Sequence, residues 1–141
     1  METETKTLTP AERTNLRTVT GIYAALAAGD MQGFMELLAP DITWTVAAGG
    51  ATGGTYHSPQ EVVEKAMAPI AVDWSDFTIT TFELTPVGDR LFAQGEYRGV
   101  NRTTGKVGAA RFVHVWHLVD GIACRFETVF DTHTIWLATQ L

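Results

Sequence analysis

A chain of 141 residues, 45% of them hydrophobic, has the size of one domain and enough apolar material for one core. Ten basic and 16 acidic residues give a net charge of −6, and the basic residues are scattered, which argues against a nucleic-acid partner. The opening METETKTLT lacks the apolar run of a secretory signal, and no segment approaches membrane-spanning length. The expectation is therefore a soluble cytoplasmic protein with a single domain over 1–141, residues 1–8 flexible. One cysteine, Cys124, allows no internal disulfide and fits a reducing compartment.

Thr9-Pro10-Ala11-Glu12 has the form of a capping box with proline at the first helical position. Leu16, Val19, Tyr23 and Leu26 then recur at helical spacing as far as Gly29. Asp30 caps a second short helix carrying Met31, Phe34, Met35 and Leu38, which Ala39-Pro40-Asp41 breaks. Residues 41–46 alternate, with Ile42, Trp44 and Val46 on one face. The glycine-rich residues 47–55, AAGGATGGT, form a loop before Ser58-Pro59-Gln60-Glu61 caps a third helix bearing Val62, Val63, Ala66 and Met67. Beyond Pro69 the period changes. Residues 77–84, 91–98, 110–118 and 123–130 read as strands of an antiparallel meander, parted by Pro86-Val87-Gly88-Asp89, Thr103-Thr104-Gly105 and Asp120-Gly121. Helices first and strands afterwards predict an α+β fold: three N-terminal helices covering one face of a curved antiparallel sheet, with a pocket where the layers diverge. The final HTIWLATQL is too apolar for a free tail, so Ile135, Trp136 and Leu137 are expected to pack on the domain or on a partner subunit.

The closing hairpin, TGKVGAARFVHVWHLVDGIACRFETVFD, sets the site. Alternation puts Phe112, His114, Trp116 and Leu118 on one face, and Cys124, Phe126, Thr128 and Phe130 on the matching face of the return strand. One strand earlier, Leu91, Ala93, Gly95 and Tyr97 share a face, with Glu96 and Arg98 directed away from the helix-covered core. His114 is the sharpest candidate: an imidazole titrating near ~6.5 can give or take a proton at neutral pH. Its plainer reading is a core histidine bonded to Tyr97 or Thr128, and Tyr97 is either a donor to a ligand oxygen or a link between strands. Trp44 and Val46 form one wall of a hydrophobic pocket, Phe112, Trp116 and Phe126 another, and Tyr56, with His57, covers the mouth. Asp131 caps the turn after the last strand. No histidine pair has metal-ligand spacing, no phosphate loop follows the glycines, and Ser58 and Ser75 form no triad, so neither metal nor cofactor is expected.

The order of these pieces resembles the SnoaL-like, ketosteroid-isomerase-like branch of the nuclear transport factor 2-like superfamily. It is carried by IYAALAAGDMQGFMELLAPDITW at the opening and VHVWHLVDGIACRFETVFD at the close, over nearly the whole chain. The resemblance implies a cone-shaped, cystatin-like roll, often a homodimer through the outer sheet, on which isomerases, polyketide cyclases, epoxide hydrolases and pure binding modules are all built. By motif counting, the isomerase base position falls on Val46, its tyrosine position on Ile22 with Tyr23 one residue out of register, and its protonated aspartate position on His114. The hydrolase Asp-Arg-Asp positions fall near Gly95, Tyr97 and Thr128, so neither carboxylate is kept. The leading expectation is a small-molecule enzyme that binds a hydrophobic ring-containing metabolite and performs cofactor-independent proton transfer, as an isomerase or polyketide cyclase does. His114, Tyr97 and Thr128 would be its catalytic residues. The alternatives are a non-catalytic hydrophobic ligand-binding module and an epoxide-hydrolase-like enzyme.

Overall fold

The computed structural model describes residues 7–141. The flexibility expected of residues 1–8 lies, for residues 1–6, outside them. Helix α1 (Pro10–Ala28) opens on the anticipated capping box, with Thr9 Oγ1 accepting from the Glu12 amide at 3.1 Å and Glu12 Oε1 accepting from the Thr9 amide at 2.9 Å. It closes on Gly29, whose φ of 70° is a left-handed cap that a glycine adopts without steric cost. Helix α2 (Met31–Glu36) is capped by Asp30 and ends before Leu38. Leu38 instead begins β1 (Leu38–Val46), where it pairs with Ala123, so the strand starts earlier than alternation alone indicated.

After β2 (Gly54–Tyr56), the helical segment is α3 (Pro59–Glu61), a π-helical stretch (Val62–Met67) and α4 (Ala68–Asp73) in succession. The change of period expected at Pro69 comes only after Asp73. Pro69 lies inside this continuous segment, directly after the wider π turn, in which the Ala68 amide bonds back to the Val63 carbonyl. Strands β3 (Trp74–Val87), β4 (Arg90–Asn101), β5 (Val107–Val119) and β6 (Ile122–Phe130) form the meander, each longer than expected, and α5 (Thr132–Ala138) ends the chain.

The six-stranded sheet runs β2-β1-β6-β5-β4-β3. All neighbours are antiparallel except β1 and β6, which pair in parallel, so the sheet is not wholly antiparallel as expected. Register shifts between Ser75 and Thr78, between Thr81 and Glu83, and between His117 and Leu118 bend the strands and curve the sheet around the helices. The last of these moves Cys124 off the inward face. Ala123 takes the inward position opposite Leu118, while the half-buried Cys124 donates from Sγ to the His117 carbonyl at 3.3 Å. The core between sheet and helices holds Val19 and Ile22 of α1, Phe34 of α2, Ile42 of β1, Leu91 of β4 and Trp116 of β5, all at most 1% exposed.

Candidate functional site

The inward residues of β5 are Ala110, Phe112, His114, Trp116 and Leu118, buried in strict alternation. The ladder places Ala93 of β4 and Thr128 of β6 on either side of His114, and Tyr97, paired with Ala110 farther along β4, reaches the imidazole with its hydroxyl. On α1, Tyr23 lies one turn after Val19 and faces the sheet. The imidazole is thereby held at both nitrogens: Tyr23 Oη is 2.6 Å from Nδ1 and Tyr97 Oη is 2.5 Å from Nε2. Tyr97 Oη also lies 2.8 Å from Thr128 Oγ1, and Trp116 Nε1 donates to Tyr23 Oη at 3.0 Å.

Apolar neighbours complete the enclosure. Phe112 stacks on the imidazole at 3.8 Å between ring centroids and 10° between planes, and His114 is 2% exposed. Burial disfavours the imidazolium and lowers the His114 pKa from 6.5 to about 3. Burial also disfavours both phenolates, raising Tyr23 against the opposing Trp116 hydrogen bond and Tyr97 against the Thr128 hydrogen bond. At neutral pH the cluster is uncharged.

It lines part of a cavity of about 130 Å³. Trp44 and Phe126 stack at 3.7 Å between centroids on one side, with Trp116 edge-on to Trp44. Leu26, Met67 and Ile70 approach from the helices, and Phe130 and Ile135 from the C-terminal segment. Trp74, the first residue of β3, lies across two glycines: a Cβ on Gly108 would stand 2.8 Å from its ring and one on Gly99 3.4 Å. Backbone approach of this closeness is what a glycine inside a strand permits. The lining contains no Asp, Glu, Lys or Arg side chain, so hydroxyls, the indole and imidazole N–H groups and main-chain groups supply its polarity. Among the described residues no group of three His, Cys, Asp or Glu could hold a metal ion.

A family model described as the SnoaL-like domain matches residues 19–126. The chain belongs to the SnoaL-like family. Its structure is similar to a nuclear transport factor 2-like protein from Burkholderia thailandensis E264, at 33% identity over 90% of this chain and 98% of the other, with a TM-score of 0.87. It is also similar to TerC, co-crystallised with polyporic acid, at 25% identity over 89% and 97% of the two chains, with a TM-score of 0.80. A SnoaL-like, polyketide-cyclase-like protein from Jannaschia sp. CCS1 has a TM-score of 0.83 over 97% and 100% of the chains, but at 13% identity that likeness is one of fold alone. No curated protein matches the chain by sequence.

Within this SnoaL-like domain, His114, Tyr97 and Thr128 come together as one hydrogen-bonded group, and Trp44, Val46, Trp116 and Phe126 line the cavity beside them. Two residues expected at the ligand surface lie elsewhere. Phe112 backs the imidazole rather than facing the cavity, because the curled strand turns neighbouring inward side chains against each other. Tyr56 is drawn to the glycine-rich loop, its hydroxyl donating to the Thr52 carbonyl at 2.5 Å, and Ala51 and Thr52 line the cavity in its place. His57 is exposed, with only its amide engaged, by Glu61 at 3.2 Å. Glu96 and Arg98 lie outside the cavity lining, Glu96 opposite Arg111 in the ladder. Asp131 caps α5, accepting from the Thr134 amide at 3.0 Å. Of the C-terminal residues expected to pack on the domain or on a partner subunit, Ile135 turns into the cavity lining, while Trp136 and Leu137 are 53% and 49% exposed on the single chain.

Sequence reasoning passed over Tyr23 and Trp74. Motif counting points to Ile22, which is fully buried in the core, while Tyr23 supplies the hydroxyl. Its signal was its place on the α1 stripe together with a buried tryptophan in need of an acceptor. Trp74 was marked only by Gly99 and Gly108 on the strands beneath it.

Proposed function

We propose that the cavity binds a neutral, hydrophobic ring-containing metabolite and promotes cofactor-independent proton transfer on it, in the manner of an isomerase or polyketide cyclase. One observation carries the reading: the lining of a mainly apolar cavity includes a connected set of hydroxyl and imidazole groups, Tyr23, His114, Tyr97 and Thr128. An apolar cavity of about 150 Å³ accepts a benzene-sized guest, so this one has room for about one ring. A carbonyl on that ring, turned toward Tyr97 and Thr128, would receive hydrogen bonds that strengthen as it becomes an enolate or enol. Carbon acids flanked by two carbonyls need little basic assistance, which suits a site without a carboxylate. The co-crystallisation of TerC with polyporic acid supports a small organic ligand.

The second reading, a non-catalytic binding module on the same cavity, is favoured by the engagement of both His114 ring nitrogens, which leaves neither free to act as a base. The hydrolase reading has no such support, since no carboxylate lines the cavity. The test is mass spectrometry of cyclic enones, poly-β-ketones and epoxides incubated with the protein in deuterated, oxygen-18-labelled water. Deuterium without oxygen-18, lost in His114→Gln, is the expected result. Oxygen-18 in the product would replace this reading with hydrolysis, and ligand binding with no label would replace it with the binding module.

Two further parts of the proposal concern setting. Among the described residues no helix is long and apolar enough to cross a membrane, and we place the protein in the cytoplasm, where its unpaired cysteine stays reduced. The outer sheet face carries Phe82, Val113 and Val129 at 54%, 39% and 49% exposure, and this apolar surface supports homodimerisation across it. Light scattering should give twice the chain mass, and a monomer at micromolar concentration would refute the dimer.

A further inference from the structure

We infer that Tyr23, His114, Tyr97 and Thr128 form an uncharged proton relay, opening on the cavity at Tyr23 and at Tyr97–Thr128, that carries a proton between two atoms of a bound ligand. The inference rests on the proton-transfer reading above and gives it a mechanism. It follows from counting hydrogens. Trp116 Nε1, Tyr23, neutral His114, Tyr97 and Thr128 bring five N–H or O–H hydrogens to the four contacts that join them. One hydrogen is therefore spare. Among the described residues neither the Tyr23 nor the Thr128 hydroxyl has a protein partner outside this set, and both residues line the cavity.

The histidine tautomer decides where the spare hydrogen sits. The indole only donates, so Trp116 always gives its hydrogen to Tyr23 Oη. With the imidazole hydrogen on Nε2, that hydrogen points to Tyr97, Tyr23 donates to Nδ1, and the spare O–H is at Tyr97 or Thr128. With the imidazole hydrogen on Nδ1, it points to Tyr23, Tyr97 donates to Nε2, Thr128 donates to Tyr97, and the spare O–H is at Tyr23. The two states differ by one hydrogen moved from one opening to the other.

A ligand with an acceptor oxygen near Thr128 and a transferable hydrogen near Tyr23 converts the first state into the second. Thr128 gives its hydrogen to the ligand oxygen and takes that of Tyr97. Tyr97 takes the Nε2 hydrogen, Nδ1 takes that of Tyr23, and Tyr23 takes one from the ligand. Five bonds to hydrogen break and five form, and every group ends neutral. After release, water at the cavity takes the spare hydrogen from Tyr23 and returns one to Thr128, restoring the first state. Such a relay suits groups that burial prevents from ionising, and its substrate class is a neutral keto–enol or enone system with acceptor and donor on separate atoms. His114 acts here through its neighbours and is a positioning residue, while the hydroxyls of Tyr23 and Thr128 meet the ligand.

Nitrogen-15 NMR of histidine-labelled, ligand-free protein tests the relay without any substrate, the His114 signals being those missing from His114→Gln. The native protein should show a neutral imidazole at pH 7, with exchange between tautomers at both ring nitrogens. Tyr97→Phe should place the hydrogen on Nδ1, facing Tyr23, and Tyr23→Phe should place it on Nε2, facing Tyr97. An imidazolium at pH 7, a native ring frozen in one tautomer, or the same tautomer in both variants would overturn the relay. A tautomer that switches as expected in a protein without turnover would instead sink the proton-transfer reading and leave standing only the switchable hydrogen-bond chain, without its role on a ligand.

Discussion

Acid should destabilise this protein through His114, and by an amount the structure sets. The imidazole takes a proton at about 6.5 when unfolded and only at about 3 when folded, so between those values the unfolded chain holds the extra proton. The stability that comes from keeping His114 neutral is intact above pH 6.5 and is lost as pH falls toward 3. At about 1.36 kcal/mol per pH unit, the loss is about 2 kcal/mol between pH 7.5 and 5.0 and about 3 kcal/mol by pH 4.0. Urea denaturation of the native protein and of His114→Gln at these pH values isolates it, because His117, whose burial also lowers its pKa, and Asp131, lowered by its hydrogen bonds to Thr134, titrate in both proteins. The native protein should lose about 2 kcal/mol more than the variant at pH 5.0. Equal losses would mean that the folded imidazole accepts a proton near its ordinary pKa, and the neutral cluster would be wrong.

Gly95→Ala should destabilise by about 1–3 kcal/mol, since the new Cβ meets both the Thr80 carbonyl and the Phe112 ring that backs His114, and the carbonyl belongs to a paired strand that cannot retreat. A thermal melt reads this, and an unchanged midpoint would show that the strands yield. Asp131→Ala removes the cap of the seven-residue α5 at a cost of about 1 kcal/mol, and should weaken binding of a hydrophobic dye in the cavity by loosening Ile135. Dye affinity equal to that of the native protein would show that α5 is held by other contacts. Gly108→Ala should lift Trp74 from the sheet and speed dye release in stopped flow, a rate that stays constant only if the ring can slide aside.

His114, Tyr97 and Thr128 were legible as inward residues because strands have a period of two; the register sets Thr128 beside His114, while Tyr97, paired with Ala110, meets them through the length of its side chain. Trp44, Val46, Trp116 and Phe126 followed from the same alternation. What it could not reveal were departures from period. The bulge after His117 turned Cys124 from the inward face, and the π turn before Pro69 let the helical segment run to Asp73. Tyr23 was missed for a related reason: on a helix a single residue rotates the side chain by about 100°, so a count that is one position out points to a different face. Phe112 and Tyr56 were misassigned because alternation specifies a side of the sheet but not whether a side chain there meets the cavity or a neighbour.

The parallel pairing of β1 with β6 has a consequence for the order in which the molecule is made. Trp44 stacks on Phe126, and Tyr23 meets His114 across 91 positions of sequence, so each side of the cavity waits for the opposite end of the chain. The β3–β4–β5 hairpins can zip locally, but β6 must be joined to β1 by a long-range closure of the kind that slows folding. Until that closure, apolar rings from both halves stand in water with no cavity between them. A nascent chain on the ribosome therefore cannot close the cavity until β6 has emerged, because Phe126 and Thr128 of β6 are part of its lining.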